Sequence, residues 1–247
     1  MATFLLVHGA WHGGWCWRRT ATILRARGHD VFTPTLTGLG ERAHLLTPGT
    51  NLSTHIEDIT ALIEAEEIED IILCGHSYSG AIIANVADRQ PSRIAALVFL
   101  DAFIPQPGRS LLDLDAPERQ EAILSRVVET EKGAVLPPAP AVIYALASES
   151  DREWVDRRCT PHPLVPFKDA NELTGAWRSV RRLAYISTER FQPPDFRDIA
   201  AGLAGDPLFT CQSITAGHDA MLDEPERLAD MLIGHAEAVA GSSRSVA

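Results

Sequence analysis

Ile71-Ile72-Leu73-Cys74-Gly75-His76-Ser77-Tyr78-Ser79-Gly80 joins an apolar run to a turn of small residues. The apolar run suits a strand buried on both faces. Directly after it, Ala81-Ile82-Ile83-Ala84-Asn85-Val86-Ala87 suits the opening of a helix. A strand, a sharp turn centred on one serine and a helix are the setting of a nucleophile elbow. Such a turn strains the dihedrals of Ser77, so the residues two before and two after it must be small. Gly75 and Ser79 are small, although Gly is more usual than Ser at the second place. The helix N-terminus behind Ser77 favours negative charge near its hydroxyl. A glycine-containing strand-to-helix turn of any α/β protein has the same local look, so the flanking chain must decide.

Towards the N-terminus, Thr3–Val7 reads as a short strand. It runs into a loop, His8-Gly9-Ala10-Trp11-His12-Gly13-Gly14-Trp15-Cys16-Trp17, whose glycines let the backbone turn closely and expose N–H groups. Three glycines and three tryptophans in one loop are unusual for a plain turn. Trp17 to Arg27 carries a helical pattern closed by Gly28. Asp30–Thr33 reads as a strand, and Pro34 to Asn51 as irregular chain. A helix capped by Ser53 or Thr54 then runs to about Glu67, with Ile56, Ile59, Leu62 and Ile63 on one face. Towards the C-terminus, Ile94–Leu100 reads as another buried strand, ending in Asp101-Ala102-Phe103. Strands alternating with helices predict a mostly parallel sheet with helices on both faces.

The alternation stops after Phe103. Helical pieces near Pro117–Glu131, Ser148–Arg158 and Asp169–Trp177 are separated by proline-rich chain, and the segment reads as a helical cap inserted into the core. Its apolar side chains, Tyr144 and Trp154 among them, pack on the core or line a pocket. The core is expected over residues 1–104 and 182–247, with the cap over 105–181. Alternation resumes with strand Leu183–Ser187, followed by Thr188 and Glu189. A helix near Asp195–Leu203 leads to strand Leu208–Ile214, which delivers Gly217-His218-Asp219. A last amphipathic helix spans about Pro225–Ala240, and Gly241 to Ala247 reads as a frayed tail.

The 247 residues and their 45% hydrophobic content fit one large globular domain with an insertion. A net charge of −11 argues against nucleic acid as a partner, which needs basic surface, and weakly against anionic membranes. The start Met-Ala-Thr-Phe-Leu-Leu-Val-His reads as a strand rather than a signal peptide, and no apolar run approaches the roughly 18 residues of a membrane span. Cytoplasmic location is the default expectation. The four cysteines, Cys16, Cys74, Cys159 and Cys211, show no metal spacing, and Cys74 and Cys211 are expected as core thiols.

A serine hydroxyl needs an adjacent base. His218 follows the last strand, and in a parallel sheet the carboxyl ends of strands share one edge, so Ser77 and His218 are expected to meet there. His76 adjoins the serine but is expected to point away. His12 is placed to touch substrate. His29, His44, His55, His162 and His235 are expected at the surface. An acyl-transfer intermediate needs two N–H donors for its oxyanion; Tyr78, after the nucleophile, and Ala10, in the first loop, are the candidates. The acid that orients His218 stays open between Asp101 and Glu189, both at strand ends. Asp219 is too close along the chain to orient its neighbour, and Asp223 is expected to start the final helix.

Taken together, Leu6 to Trp17, Gly75 to Gly80 and Gly217-His218 resemble the α/β-hydrolase superfamily over nearly the whole chain. The chain is similar to the group holding plant methylesterases and hydroxynitrile lyases. It is also similar to bacterial pyrethroid-hydrolase-like carboxylesterases, which Thr35-Leu36-Thr37-Gly38-Leu39-Gly40-Glu41-Arg42 resembles most closely. The resemblance implies an α/β-hydrolase fold without its first strands, with a helical cap insertion. It implies Ser77 as nucleophile, His218 as base, and Ala10 and Tyr78 as oxyanion donors. The lyases carry Thr where this chain has Gly9 and Lys where it has Asp219, so the resemblance points to esterases. The plant enzymes carry their acid a little beyond the strand that here is Leu183–Ser187, where this chain is shortened and has no Asp. Haloalkane-dehalogenase-like hydrolases carry it one strand earlier, which favours Asp101, with Glu189 as the alternative.

The expected activity is that of a serine carboxylesterase, without metal or cofactor. Its substrate would be a small-to-medium apolar or aromatic carboxylic ester, cleaved through an acyl-enzyme. Gly9, Trp11, His12, Phe103, Tyr144 and Trp154 are the expected substrate contacts. A small-molecule ester is the expected partner, and a homodimer is compatible with the sequence. The alternatives are a hydroxynitrile-lyase-like or cofactor-free oxygenase enzyme, and a non-catalytic hydrolase-like receptor for a small ligand.

Overall fold

In the computed structural model, which describes residues 1–244, the strands in chain order are β1 (Thr3–Val7), β2 (Asp30–Phe32), β3 (Ile71–His76), β4 (Ile94–Leu100), β5 (Val128–Thr130), β6 (Gly133–Leu136), β7 (His162–Pro163), β8 (Arg182–Thr188) and β9 (Phe209–Ile214). Six of them form one sheet in the order β2-β1-β3-β4-β8-β9, with every neighbouring pair parallel. The loops that carry Ala10, Ser77, Asp101 and His218 therefore leave from the same edge.

Side-chain alternation divides the core into two layers. Phe4 and Leu6 of β1, Cys74 of β3 and Val98 of β4 face one side. There they meet Ala21 and Leu24 of α1 (Arg18–Ala26) and, near the C-terminus, the long helix beginning at Pro225. Leu5, Val7, Leu73 and Phe99 face the other side. They pack on Ile56, Ile59 and Ile63 of α2 (Leu52–Ala65) and on Ile82 and Ile83 of α3 (Ser79–Arg89). The central strands β3 and β4 are buried along their whole length, as expected for parallel strands covered on both faces.

Between β4 and β8 lie α4 (Pro117–Leu124), α5 (Glu149–Arg158) and the short α6 (Val165–Lys168). This insertion is not purely helical: β5, β6 and β7 form a three-stranded antiparallel sheet. The expected helix to Glu131 stops at Leu124, because Val128–Thr130 turns back at Gly133, whose φ of 104° suits glycine alone. The expected helix over Asp169–Trp177 does not form: α6 ends before it at Lys168, and only a single tight turn, Ala176–Ser179, begins at its far end.

After β8 come α7 (Pro194–Ala204), the single-turn α8 (Ala220–Asp223) and α9 (Pro225–Arg244). The last helix carries through Gly241 to Arg244, where a frayed tail was expected; residues 245–247 lie outside the described residues. Two further expectations change. Asn51, not Ser53 or Thr54, caps α2, and Thr54 closes a reciprocal capping box with it. Cys211 is exposed, because β9 is an edge strand; Cys16 and Cys74 are buried.

Candidate active site

β3 ends in the turn that carries Ser77. Its φ is 54°, a left-handed conformation that L residues other than glycine seldom adopt. The turn is held on both sides: Ser77 N–H donates to Leu100 O at 3.2 Å, and Phe103 N–H donates to Ser77 O at 3.2 Å. The small residues are enforced by packing. A Cβ on Gly75 would lie 2.8 Å from Ile83 Cγ2 and from Ser79 O. The tightest approach falls outside the expected positions, at Gly80, where a Cβ would lie 1.9 Å from Phe103 O. Ser79 uses its hydroxyl to bond His8 O, tying the elbow to the end of β1.

His218 sits in the loop after β9. Its Nδ1–H donates to Asp101 Oδ2 at 2.7 Å, and its backbone N–H donates to Tyr144 O at 2.8 Å. Asp101 follows β4 at a φ of 42° and is 1% exposed. Thr188, at the end of β8, donates to it twice, from N–H at 3.2 Å and from its hydroxyl at 2.9 Å. Three donors therefore converge on one buried carboxylate. Glu189, the alternative acid, is exposed and is held by Ser213 and Thr215 hydroxyls at 2.7 and 2.6 Å. β8 carries Thr188 inward and therefore Glu189 outward.

Ser77 and His218 line one cavity of about 280 Å³ together with Ala10 and Tyr78. Among the described residues, no group takes up the N–H of Ala10 or of Tyr78. The Tyr78 ring is anchored away from the reacting centre: its hydroxyl donates to His55 Nδ1 at 2.8 Å, and His55 Nε2–H donates to Thr37 O at 2.9 Å. Trp11, Phe103 and Tyr144, named as substrate contacts from the sequence, line the cavity. Trp11 is fixed by an N–H donation from its indole to Leu136 O at 2.9 Å.

Three expected contacts fall elsewhere. Gly9 packs behind Ser77, where a Cβ would lie 3.0 Å from Ser77 Cβ and 2.8 Å from His76 Nδ1. His12 is 2% exposed and turns inward to Ala10 O and Asp219. Trp154 packs edge-on against Trp15 at 4.8 Å, with Arg158 over its ring.

The wall also holds residues the sequence did not single out: Phe167 from α6, Phe191 after β8, Phe196 from α7, and Asp115, Arg119 and Arg126 around α4. Phe191 lies 4.3 Å from the His218 ring and Phe196 5.3 Å. Their position in the shortened segment after β8, where an acid was sought, was the available signal. Asp115 is pushed up to about 6 by burial, while Arg119, 3.1 Å away, acts in the opposite direction.

The histidines correct the surface expectation. His55, His162 and His235 are buried, each with a hydrogen-bonding partner: Tyr78 and Thr37, Pro163 O, and Arg182 Nε respectively. His76 is buried beneath His218, ring to ring at 4.4 Å, and donates from Nε2 to His218 O at 3.0 Å. Burial first, and the neighbouring His218 second, push its ring well below the usual histidine range. Asp223, expected to start the last helix, instead accepts Gly217 N–H at 2.7 Å and Ala147 N–H at 3.0 Å. It fixes the loop that carries His218. Among the described residues there is no cluster suited to a metal ion, and no helix is long and apolar enough to cross a membrane.

Residues 4–231 match the alpha/beta hydrolase family, and the chain belongs to it. It is 42% identical over 239 residues to a carbendazim hydrolyzing esterase of Nocardioides sp. (strain SG-4G), covering 94% of this chain and 98% of that one. It is 35% identical over 112 residues to methyl jasmonate esterase 1 of Vitis vinifera, covering 44% of this chain and 42% of that protein. Among solved structures, an extracellular alpha/beta-hydrolase from a Paenibacillus species superimposes with a TM-score of 0.80 at 24% identity, over 95% of this chain and 99% of that one. A pyrethroid hydrolase from Sphingobium faniae JZ-2 superimposes with a TM-score of 0.75 at 23% identity, over 97% and 99%. At these identities the structural likeness establishes the fold alone.

Proposed function

We propose that this chain is a serine carboxylesterase acting on small-to-medium apolar or aromatic esters. The observation that carries the reading is the 2.7 Å contact between His218 Nδ1 and Asp101 Oδ2, at the cavity that Ser77 enters from a left-handed turn. Esterase relatives support the same reading.

Asp101 fixes the tautomer of His218, leaving Nε2 free to act as base. Ser77 Oγ adds to the ester carbonyl carbon as Nε2 takes its proton. The resulting oxyanion accepts hydrogen bonds from the N–H groups of Ala10 and Tyr78. Collapse breaks the bond to the alkoxy oxygen, which leaves as alcohol with the proton from His218. His218 next deprotonates water for attack on the acyl-Ser77 ester, and the acid leaves with Ser77 reprotonated.

Trp11, Phe103, Phe167, Phe191 and Phe196 give the cavity aromatic walls, which suits a flat apolar acyl or leaving group. The 42% identical relative is named for hydrolysing carbendazim, which makes that compound a natural test substrate. The lyase alternative calls for a threonine where this chain has Gly9, and a Cβ there would press on His76 Nδ1 at 2.8 Å and Ser77 Cβ at 3.0 Å.

The test is turnover of p-nitrophenyl butyrate and of carbendazim. Ser77→Ala is expected to lower kcat by about 10⁴-fold or more. Undiminished turnover in that variant refutes the proposal.

A further inference from the structure

We propose that His12 and Asp219 form a buried ion pair that positions the oxyanion loop against the loop carrying the catalytic base. Both are positioning residues, and the inference rests on the esterase reading above.

His12 leaves the first loop two residues after Ala10, and Asp219 directly follows His218. The two are 2% and 0% exposed. His12 Nδ1 lies 2.8 Å from Ala10 O, and Nε2 lies 3.3 Å from Asp219 Oδ2. A carbonyl oxygen and a carboxylate oxygen can only accept, so both ring nitrogens must carry hydrogen and the ring is an imidazolium. Burial alone would push His12 down; the negative charge of Asp219 outweighs it and holds the ring well above the usual histidine range. Asp219 is correspondingly held low: burial acts upward, and His12 outweighs it.

The groups around His12 are Asp219, Cys159 with Sγ at 3.9 Å, His76, Tyr144, the Trp15 ring stacked on it at 5.2 Å, and His8, which burial holds neutral. Of these, Asp219 is the anion. Asp219 Oδ1 lies 3.9 Å from His76 Nε2, beyond hydrogen-bond distance, and His76 spends that proton on His218 O. One ring thus clamps the carbonyl of the residue whose N–H would hold the oxyanion. Its counter-ion is the residue after the base. The two loops come from β1 and β9, which do not neighbour each other in the sheet, so the sheet itself does not fix their relative placement. A charged pair taken out of water holds that placement and is strongly disturbed when one member is neutralised.

The experiment compares His12→Gln, Asp219→Asn and the double variant with wild type. Turnover per active site is set by fluorophosphonate titration, and affinity is measured for a trifluoromethyl ketone that adds to Ser77 as a tetrahedral oxyanion. Each single variant is expected to lower kcat about 10- to 100-fold, with KM within about twofold. The ketone affinity should fall in step with kcat/KM. The double variant should be no slower than the worse single, since the pair acts as a unit. Ketone affinity unchanged while KM rises, or fully multiplicative effects in the double variant, overturns the proposal. A second measurement needs no variant. Nitrogen-15 NMR of wild-type His12 at pH 8 is expected to show both ring nitrogens protonated, and a neutral ring there overturns it too. If Ser77→Ala retains turnover, the esterase reading has failed. If Ser77→Ala is dead but the His12 and Asp219 variants match wild type, the failure is confined to the pair.

Discussion

Ser77, Asp101 and Trp11 share left-handed backbone, with φ values of 54°, 42° and 66°; the first two directly follow β3 and β4, and Trp11 lies in the loop after the adjacent β1. Such conformations persist where surrounding structure enforces them, and they collect at functional sites. Asp101 is enforced by Thr188 as much as by His218. Asp101→Asn keeps the shape but removes the charge and disturbs the tautomer of His218. It is expected to lower kcat by about 10⁴-fold, whereas Glu189→Gln leaves kcat near wild type. Equal losses in the two variants, read on p-nitrophenyl butyrate, would contradict the role given to Asp101. At this scale the sequence is legible where position alone determines direction: a residue ending a parallel strand faces the common edge. His12 was misread because a glycine-rich loop does not say which way its side chains turn. Its two partners, Ala10 O and Asp219, become neighbours only through the tertiary fold.

At the level of elements, the elbow depends on α3 lying close to the chain after β4. Gly80→Ala would put a methyl group where Phe103 O now sits. A backbone atom cannot step aside as a flexible side chain can, and overpacking of this kind costs about 1–3 kcal/mol. A lowered urea midpoint with an unchanged slope is the expected result. Helix α2 offers a milder case. Asn51→Ala removes the acceptor at 2.8 Å for Thr54 N–H, which should cost about 1 kcal/mol. Activity should be unaffected, since Asn51 is remote from the cavity. The helix start is also held by Asp169, which accepts Leu52 N–H at 2.9 Å from within the insertion. Strands of the central sheet were legible because long apolar runs between turn signals leave few alternatives. The small sheet β5-β6-β7 was not: its strands are only two to four residues long, and β5 is exposed throughout. Pattern alone cannot separate them from loop or helix.

Across the whole molecule, the buried histidines govern the response to acid. Burial lowers His8 to about 3, and His55 and His235 to about 4. Each is neutral in the folded protein, while the unfolded chain takes up protons near pH 6.5. Between pH 6.5 and 4 the unfolded state therefore binds more protons, and stability falls as pH falls. The loss is on the order of several kcal/mol, since one unit is about 1.4 kcal/mol. His12 acts in the opposite sense: its raised value stabilises the fold below pH 6.5, and that contribution fades as pH rises through its folded value. Urea unfolding at pH 7, 6, 5 and 4 should show a steadily falling midpoint; a flat profile would contradict the burial assigned to these rings. None of this was legible from sequence, where a histidine interrupts an apolar pattern and reads as surface.

The account stands on Ser77 being the group that the ester acylates. Intact-mass and peptide-mass measurement after exposure to a fluorophosphonate addresses this directly. One adduct per chain is predicted, on the peptide containing Ser77, with loss of p-nitrophenyl butyrate turnover in proportion to labelling and no adduct in Ser77→Ala. An adduct on another residue, or full turnover from fully labelled protein, would contradict it.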